Sequence, residues 1–227
     1  MMTTFALDVS SSILCLGISA NGTLTERYEL EVKDHNIRIM PVLAEACEAA
    51  GVTTKNFDLV VLGTGPGSFT SLRVGFAFTK ALAYALGKPI VGVSSLTALM
   101  MNGPESPALA IIDAKKKSCY ASLRRNGTLS HDHEDIALPE LANICTETPG
   151  VTLFGDGAVH YRDFFSEHAP SAMIPDDMIM HRISAQNLIK LGAERFAANG
   201  GDDVMTLIPA YVRPSEAEFN LKKGVVV

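Results

Sequence analysis

Tryptophan is absent from the 227-residue chain, and aromatic residues make up only 7% of it. Long apolar runs are absent as well, since no stretch approaches the roughly 20 residues that a membrane-spanning helix needs. The apolar start "FALDVSSSILCLGISA" has no basic residue before it and is interrupted by Asp8, which argues against a signal peptide. We therefore expect a cytoplasmic protein without membrane contact.

Cysteine and positive charge are also scarce. The four cysteines are far apart and form no C-x-x-C pair, which predicts reduced thiols in the core; they are Cys15, Cys47, Cys119 and Cys145. Nineteen basic residues against 25 acidic ones give a net charge of −6. The surface as a whole therefore lacks the positive field that attracts nucleic acid, and any RNA role would be shared with a partner.

The glycine-rich segment "GTGPGSFTSLRVG", residues 63–75, lacks the lysine of a P-loop. In the pattern G-x-x-x-x-G-K-[S/T] the sixth position is glycine, whereas here it is Ser68. Backbone amides at a helix start can still bind an anion, so Gly65, Gly67 and Ser68 form a tentative phosphate site. A tight turn followed by a capped helix is the simpler interpretation.

Asp8, with Ser10 and Ser11, is the second candidate for nucleotide phosphate binding. A carboxylate at a strand end can hold a metal-bound phosphate while neighbouring hydroxyls contact its oxygens. Aspartate and serine are also ordinary turn residues, and this alternative stays open. The run "HDHED" at 131–135 is more typical of a polar strand edge than of a metal site, and no complete active site is visible.

Short apolar runs at the start of the chain predict an antiparallel meander. "TFALDVS" and "ILCLGISA" are separated by serines, and the hairpin dipeptide Asn21-Gly22 precedes a third alternating strand. A helix over 37–50, a strand at "FDLVVLG", a helix over 71–86 and a strand at "KPIVGVS" follow. Later, "VTLFGDGAVHYRDFF" predicts a strand, a glycine turn and a helix start, and "SAQNLIKLGAERFAANGG" predicts a capped helix.

This order of elements begins again in the second half. Asp8 precedes Asn21-Gly22 by thirteen residues, and Asp113 precedes the second Asn-Gly, at 126–127, by the same interval. The shared offset predicts two tandem α/β lobes, each with a mixed sheet. We expect lobes over 1–103 and 104–208, the first completed by part of the C-terminal segment 209–227, whose tail we expect to be partly disordered.

The predicted helix over 71–86 carries only two charges, Arg73 and Lys80. Small or apolar side chains lie on all its sides, and a helix of this kind has to be covered all round. One side can pack on the sheet, and we expect the other to contact a partner subunit. Burial between the two lobes is the alternative.

Taken together, these segments resemble the bacterial TsaB family, formerly called YeaZ. The motifs "ALDVSS", "GPGSFTSLRVGFAFTKALAYALGKPIVGVSSLTAL", "AIIDAKKKSCYAS", "GDGA" and "PAYVRPSEAE" stand in the family's order and cover nearly the whole chain. The resemblance implies an α/β fold of two RNase-H-like lobes, in the actin-like, Hsp70 and sugar-kinase (ASKHA) superfamily. It also implies a part in making N6-threonylcarbamoyladenosine in tRNA.

The resemblance further implies that the chain is not catalytic. The catalytic relative TsaD holds a metal with an H-x-x-x-H pair, and this sequence has Ser95 and Leu99 at those positions, neither of which replaces an imidazole. The implied role is a scaffold without metal that pairs with TsaD and the small ATPase TsaE and meets tRNA only through the complex. No cofactor is required, although ADP or ATP at the interlobe cleft or a complex interface is an option.

Homodimerisation, in competition with TsaD pairing, is implied for the helices over 37–50 and 71–86. The residues expected at this interface are Ile39, Leu43, Ala46, Leu72, Phe76, Thr79, Lys80 and Ala83. The family loop reads "GSFTGLR", with glycine where this chain has Ser71, and a serine there is strained only at a positive φ. A small ATPase or phosphotransferase, or a metal-free peptidase-like protein, are the alternatives.

Overall fold

The computed structural model describes residues 2–29 and 35–213. Its first sheet contains β1 (Thr4–Asp8), β2 (Leu14–Ala20), β3 (Thr23–Glu29), β4 (Leu59–Gly63) and β5 (Ile90–Val93). The spatial order is β3-β2-β1-β4-β5, in which β1 runs antiparallel to β2 and parallel to β4. The predicted opening meander is thereby confirmed.

A second sheet repeats this arrangement without its last strand. It contains β6 (Ala108–Asp113), β7 (Ser118–Arg125), β8 (Thr128–Ala137) and β9 (Thr152–Phe154), in the order β8-β7-β6-β9. Asp8 is paired with Cys15 across β1 and β2, and Asp113 is paired with Cys119 across β6 and β7. The two aspartates therefore occupy equivalent positions, which confirms the repeat that their spacing predicts.

Both Asn-Gly dipeptides form the hairpin turns predicted for them. The φ angles of Asn21 and Gly22 are 52° and 79°, and those of Asn126 and Gly127 are 50° and 74°. Two successive positive φ angles define the turn whose twist matches a right-handed β-hairpin, and asparagine and glycine adopt them at little cost. The two Asn-Gly dipeptides are thus explained by the backbone conformation of the turns.

In the part of the chain that the structure describes, seven α-helices connect and cover the sheets. They are α1 (His35–Ala50), α2 (Phe69–Leu86), α3 (Ser95–Met100), α4 (Leu138–Thr146), α5 (Asp156–His160), α6 (Arg162–His168) and α7 (Ala185–Asn199), with 3-10 turns at Thr54–Asn56 and Met178–His181. The helices predicted over 37–50 and 71–86 are confirmed, and each begins two residues earlier. Helices α3 and α4 were not predicted, because they are too short for a clear helical period.

Strand alternation divides the interior into three apolar layers. In β1, Phe5 and Leu7 face the core beneath α1 and α2, whereas Ala6 faces a middle core between the two sheets. The middle core holds α3 and α7, and residues of both sheets contribute to it. The far side of the second sheet packs against α4, α5 and α6. Because the middle core is shared, the two lobes are joined by apolar contact as well as by the chain.

Helix α7 packs closely on the first sheet. A Cβ added to Gly192 would lie 2.5 Å from Val61 Cγ2, and one added to Gly17 would lie 2.4 Å from Ala185 Cβ, so glycine permits the approach at both points. Helix α7 falls within the range 104–208 expected for the second lobe, yet its sheet contacts are with the first. The expected lobe boundaries remain a prediction.

The segment after α7 continues across the first lobe. Asp202 forms a β-bridge with Ile90, and Lys80 Nζ donates to the carbonyls of Met205 and Leu207 at 3.2 and 2.9 Å. The chain then crosses to the second lobe, where the Arg213 guanidinium contacts β8. The tail beyond residue 213, including the disorder expected there, lies outside the described residues.

The four cysteines are buried and unpaired, as predicted. Burial raises the pKa of the Cys145 thiol to about 12, and it also raises the pKa of each of the other three thiols. Thiols in this state are poor nucleophiles at neutral pH, which fits a structural role. Within residues 2–29 and 35–213, the structure has no helix of the length and apolarity needed to cross a bilayer.

Candidate functional site

Three neighbouring strands end together at one edge of the first sheet. Strand β1 ends at Asp8, β4 ends at Gly63, and β5 leads into α3, which begins with Ser95. These strands are parallel, so their carboxyl ends meet, and this edge of an α/β sheet is where ligands usually bind. It is therefore the first place to look for a functional site.

Asp8 lies at the centre of this edge and is fully buried. Its Oδ1 accepts hydrogen bonds from the backbone amide of Ser10 at 2.8 Å and from the Ser10 hydroxyl at 2.7 Å. The Ser95 hydroxyl donates to Oδ2 and also accepts a hydrogen bond from the Gly65 amide at 2.9 Å. Burial raises the pKa of Asp8, and the bonds from Ser95 and Ser10 partly offset that rise.

The glycines of the loop allow the backbone to close around this carboxylate. A Cβ on Gly63 would lie 1.8 Å from Asp8 Oδ2, and a Cβ on Gly67 would lie 2.1 Å from the carbonyl oxygen of Ser10. The Ser68 amide donates to the same carbonyl at 2.8 Å. Glycine is thus required at both positions because the loop packs directly against the β1–β2 turn.

The tentative phosphate site stays a prediction, and most of its residues are engaged by other protein groups. Asp8 and Ser10 are 0% and 1% exposed, and Ser11 is bonded within its own turn, to Ile13. Gly65 is buried with a φ of +92°, and Ser68 is the N-cap of α2. The simpler interpretation, a tight turn with a capped helix, describes the observed structure. Ser71 lies in the first turn of α2 and avoids the strained conformation.

Ser95 and Leu99, which the resemblance places at the relative's metal-ligand positions, have surroundings that do not fit a metal. Ser95 is fully buried with its hydroxyl engaged by Asp8 and Gly65, and Leu99, 1% exposed, packs in the middle core. Among the residues that the structure describes, no three His, Cys, Asp or Glu side chains form a group able to hold a metal. The side chains of 130–133 lie outside this description, so the interpretation of "HDHED" stays a prediction.

The second sheet carries an acidic cluster at the equivalent edge. The Asp113 amide donates to Asp156 Oδ1 at 3.0 Å, and the Tyr161 hydroxyl donates to Asp113 Oδ1 at 3.1 Å. Burial raises the pKa of Asp156 to about 6, and the charge of the neighbouring Asp113 raises it further. Hydrogen bonds from backbone amides, including that of Ser12 in the first lobe, act in the opposite direction and lower the pKa. Asp156 therefore links the facing turns of the two lobes.

The expected interface residues lie on the inner sides of their helices. Ile39, Leu43 and Ala46 of α1 are at most 2% exposed and belong to the core beneath the first sheet. On α2, the buried members of the set are Leu72, Phe76, Thr79 and Ala83, and Lys80 is engaged by the carbonyls of Met205 and Leu207. Their part in an interface stays a prediction, and their burial shows that the sequence pattern did not distinguish the core side of each helix from its outer side.

The outer sides of the same helices form an apolar surface. On α1, Ile37 and Met40 are 63% and 59% exposed, and on α2, Tyr84 is 74% exposed. Ala77 and Ala81 are exposed between them, and both helices cover the same face of the first sheet. We call these five residues the outer face. Exposed apolar side chains grouped in this way are typical of protein interaction sites.

Comparison with known proteins decides the family. A family model described as TsaD, tRNA N6-adenosine threonylcarbamoyltransferase, matches residues 28–219. The "tRNA threonylcarbamoyladenosine biosynthesis protein TsaB" of Bacillus subtilis is 28% identical over 96% of both chains. The Haemophilus influenzae protein of the same name is 32% identical over 53% of each. The chain belongs to the TsaB (YeaZ) family.

Solved structures of this family share the fold. A Pseudomonas aeruginosa protein described as similar to peptidase YeaZ superposes with a TM-score of 0.74 at 24% identity, covering 94% of this chain and all of that one. YeaZ from Pseudomonas aeruginosa gives 0.69 at 22% identity, covering 93% of this chain and all of that one. The predicted α/β class with two actin-like lobes is confirmed.

Several residues that define the two clusters were missed by sequence reasoning. Ser95 was predicted only to occupy a replaced metal-ligand position, and Asp156 and Tyr161 were not singled out. A usable signal existed for Ser95, because it directly follows the strand predicted at "KPIVGVS", just as Asp8 lies near the end of the strand predicted at "TFALDVS". No local signal identifies Tyr161, whose contact with Asp113 spans 48 residues.

Replacing Ser95 by alanine is expected to destabilise the fold by about 2–4 kcal/mol, because the buried Asp8 oxygen and the Gly65 amide each lose a partner. Urea unfolding of Ser95→Ala measures the loss. Ser71→Ala is the matched control, since the Ser71 hydroxyl bonds only to Ser68 near the surface. Equal losses in both variants would show that Ser95 does not hold this edge together.

The pKa of Asp156 predicts a pH dependence of stability. The native state binds this proton more tightly than the unfolded chain, so the free energy of unfolding falls as pH rises from about 4 to about 6. A shift from 3.8 to about 6 corresponds to at most about 3 kcal/mol. Urea unfolding of Asp156→Asn between pH 4 and 7.5 should lack this decline, whereas Asp163→Asn, at an exposed site, should retain it. Identical pH profiles would contradict the assignment.

Proposed function

We propose that the chain is a non-catalytic subunit of an assembly that forms N6-threonylcarbamoyladenosine in tRNA. The observation that carries this proposal is the closed edge around Asp8. Its carboxylate is buried and accepts hydrogen bonds from Ser10 and Ser95, and Ser95 and Leu99, which the resemblance places at the relative's metal-ligand positions, are buried too. A closed edge of this kind supports a scaffold that acts through its surface.

The names of the relatives support the biological context. TsaB proteins of Bacillus subtilis, Haemophilus influenzae and Escherichia coli are described as tRNA threonylcarbamoyladenosine biosynthesis proteins. We infer that the chain works beside a TsaD-like catalytic subunit and a TsaE-like ATPase in the cytoplasm, and that tRNA modification takes place in the assembly. The proposal requires no cofactor within this chain, and any ADP or ATP is placed at the interlobe cleft or at a boundary with another subunit.

The outer face is the surface we assign to pairing with a second copy and with the catalytic subunit. Its apolar side chains project from two long helices that are themselves fixed to the core through residues such as Leu43 and Phe76. A rigid apolar face loses little conformational entropy on binding, which favours a specific contact. One face serving both partners makes the two contacts mutually exclusive.

The enzyme alternatives lack support at the closed edge. A phosphotransferase that uses Asp8 needs a carboxylate in contact with phosphate or its metal, and Asp8 has no exposed surface. A serine peptidase needs a hydroxyl with a base, whereas the Ser10 and Ser95 hydroxyls both donate to the carboxylate of Asp8 and have no imidazole partner among the described hydrogen bonds. No observation favours either chemistry over the scaffold.

A charge placed on the outer face is expected to disrupt pairing without unfolding the chain. Ala81→Arg puts a guanidinium at the centre of the apolar contact, where its desolvation is costly, and should weaken homodimerisation at least about tenfold. Sedimentation velocity over a concentration series measures the effect. The same variant should reduce binding to the TsaD-like subunit and the yield of modified adenosine.

The matched control is Ala197→Arg, the same substitution at an exposed alanine of α7. Helix α7 covers the opposite face of the first sheet, so this variant should dimerise and support modification like the unaltered chain. If Ala81→Arg and Ala197→Arg behave alike in both assays, the outer face is not the pairing surface.

A further inference from the structure

The turn between β6 and β7 contains three consecutive lysines in an unusual backbone conformation. The φ angles of Lys115, Lys116 and Lys117 are 62°, 54° and 59°. Left-handed backbone is disfavoured for residues with a side chain, and a run of three is rare outside glycine, asparagine and aspartate. Glycine or asparagine would form this turn with less strain, so the turn geometry alone does not account for three lysines.

The surrounding structure holds the lysine turn, residues 114–118, in place. The Lys115 amide donates to Asp113 Oδ1 at 2.8 Å, and the Lys115 carbonyl accepts bonds from the amide and the hydroxyl of Ser118, both at 3.1 Å. On the other side, the Leu138 amide donates to the Lys117 carbonyl at 3.1 Å. A strained backbone held by this many contacts is typical of functional sites, where the side chains must be presented in one arrangement.

Arg213 also holds the lysine turn in place, through contacts at both ends of the turn. Its guanidinium donates to the Ala114 carbonyl at 3.2 Å and to the Ser118 hydroxyl at 2.5 Å, and it forms a two-pronged pair with Asp135 at 2.7 and 2.9 Å. The residues that flank the three lysines are therefore fixed by a side chain whose own charge is balanced. Of the acids near the turn, Asp113 is paired with Lys115 and Asp135 with Arg213, and Asp156 adds a further carboxyl beside Asp113.

The three lysine residues are exposed at the tip of this fixed turn. The Lys115 side chain is 72% exposed even though its ammonium is paired with Asp113 at 2.7 Å. At the equivalent edge of the first sheet, Asp8 has no exposed surface. Exposed side chains at the tip of a turn suit an extended polyanion better than a small nucleotide, which needs an enclosing pocket.

We propose that the lysine turn contacts the phosphate backbone of RNA, in this case the tRNA handled by the assembly. The inference rests on the proposed function for the identity of the RNA, but the contact is a property of this chain alone. The net charge of −6 shows that the surface as a whole does not attract nucleic acid. The three lysines of the lysine turn place positive charge at one point of this otherwise acidic surface. Phosphate contacts made by such side chains position RNA without reading its sequence.

The test is binding of the full-length chain to a fluorescently labelled, unmodified tRNA transcript, followed by anisotropy between about 50 and 200 mM salt. The double variant Lys116→Glu/Lys117→Glu is compared with the control Lys55→Glu/Lys190→Glu, which makes the same charge change at two exposed lysines elsewhere. The lysine-turn variant should lose at least about tenfold in affinity at low salt, and its slope of log affinity against log salt should fall by about 1–2. The control should retain more of its tRNA affinity and more of its salt slope than the lysine-turn variant. The midpoints of urea unfolding should show that both variants fold.

Equal losses in the two variants, or the absence of tRNA binding by the unaltered chain, would overturn the proposal. Loss of ATP binding with unchanged tRNA binding would overturn it too, in favour of a small phosphate ligand. The proposed function fails by a different result, namely modification of tRNA without this chain. If the chain is required for modification but the lysine-turn variant binds tRNA normally, only the RNA contact is refuted.

Discussion

The structure of the first lobe depends on the burial of one carboxylate, that of Asp8. A buried ionised carboxyl is costly unless hydrogen-bond donors surround it, and here Ser10 and Ser95 provide them. The Ser95 hydroxyl connects α3, β1 and the glycine loop, because it also accepts from the Gly65 amide. Closing the loop this tightly requires glycine at position 63, where a side chain would overlap Asp8. The strand ends at which α/β sheets usually bind ligands therefore serve here to join β1, α3 and the glycine loop.

The closed edge and the two fixed helices have a common consequence. Asp8 has no exposed surface and Leu99 lies in the middle core, so neither residue is accessible to a ligand in this structure. The glycine loop sets the start of α2 through the Ser68 cap, and α2 together with α1 presents the outer face. The second lobe adds the lysine turn, which is held by Arg213 from the segment that crosses between the lobes. One side of the molecule thus suits a protein partner, and another suits a polyanion.

Much of the fold could be predicted from sequence because its signals are local. The Asn-Gly turns and the offset to Asp8 and Asp113 identify the repeat, and glycine marks the end of α2 at Gly87, which has a φ of 61°. The side of each helix that faces the core could not be read, because α2 is apolar nearly all round and its periodicity is weak. Residues as different in exposure as Phe76 and Tyr84 were therefore indistinguishable before the structure.

The site was predicted less well, because its contacts are distant in sequence. Ser95 and Asp8 are separated by 87 residues, and no local sequence pattern indicates their hydrogen bond.

The most direct test of the account is the yield of modified adenosine when a TsaD-like transferase, a TsaE-like ATPase, ATP and threonylcarbamoyl-adenylate act on unmodified tRNA with and without this chain. The account predicts that modification requires the chain, although the chain alone neither modifies tRNA nor hydrolyses ATP. Full yield in its absence, or ATP hydrolysis by the chain alone, would contradict it.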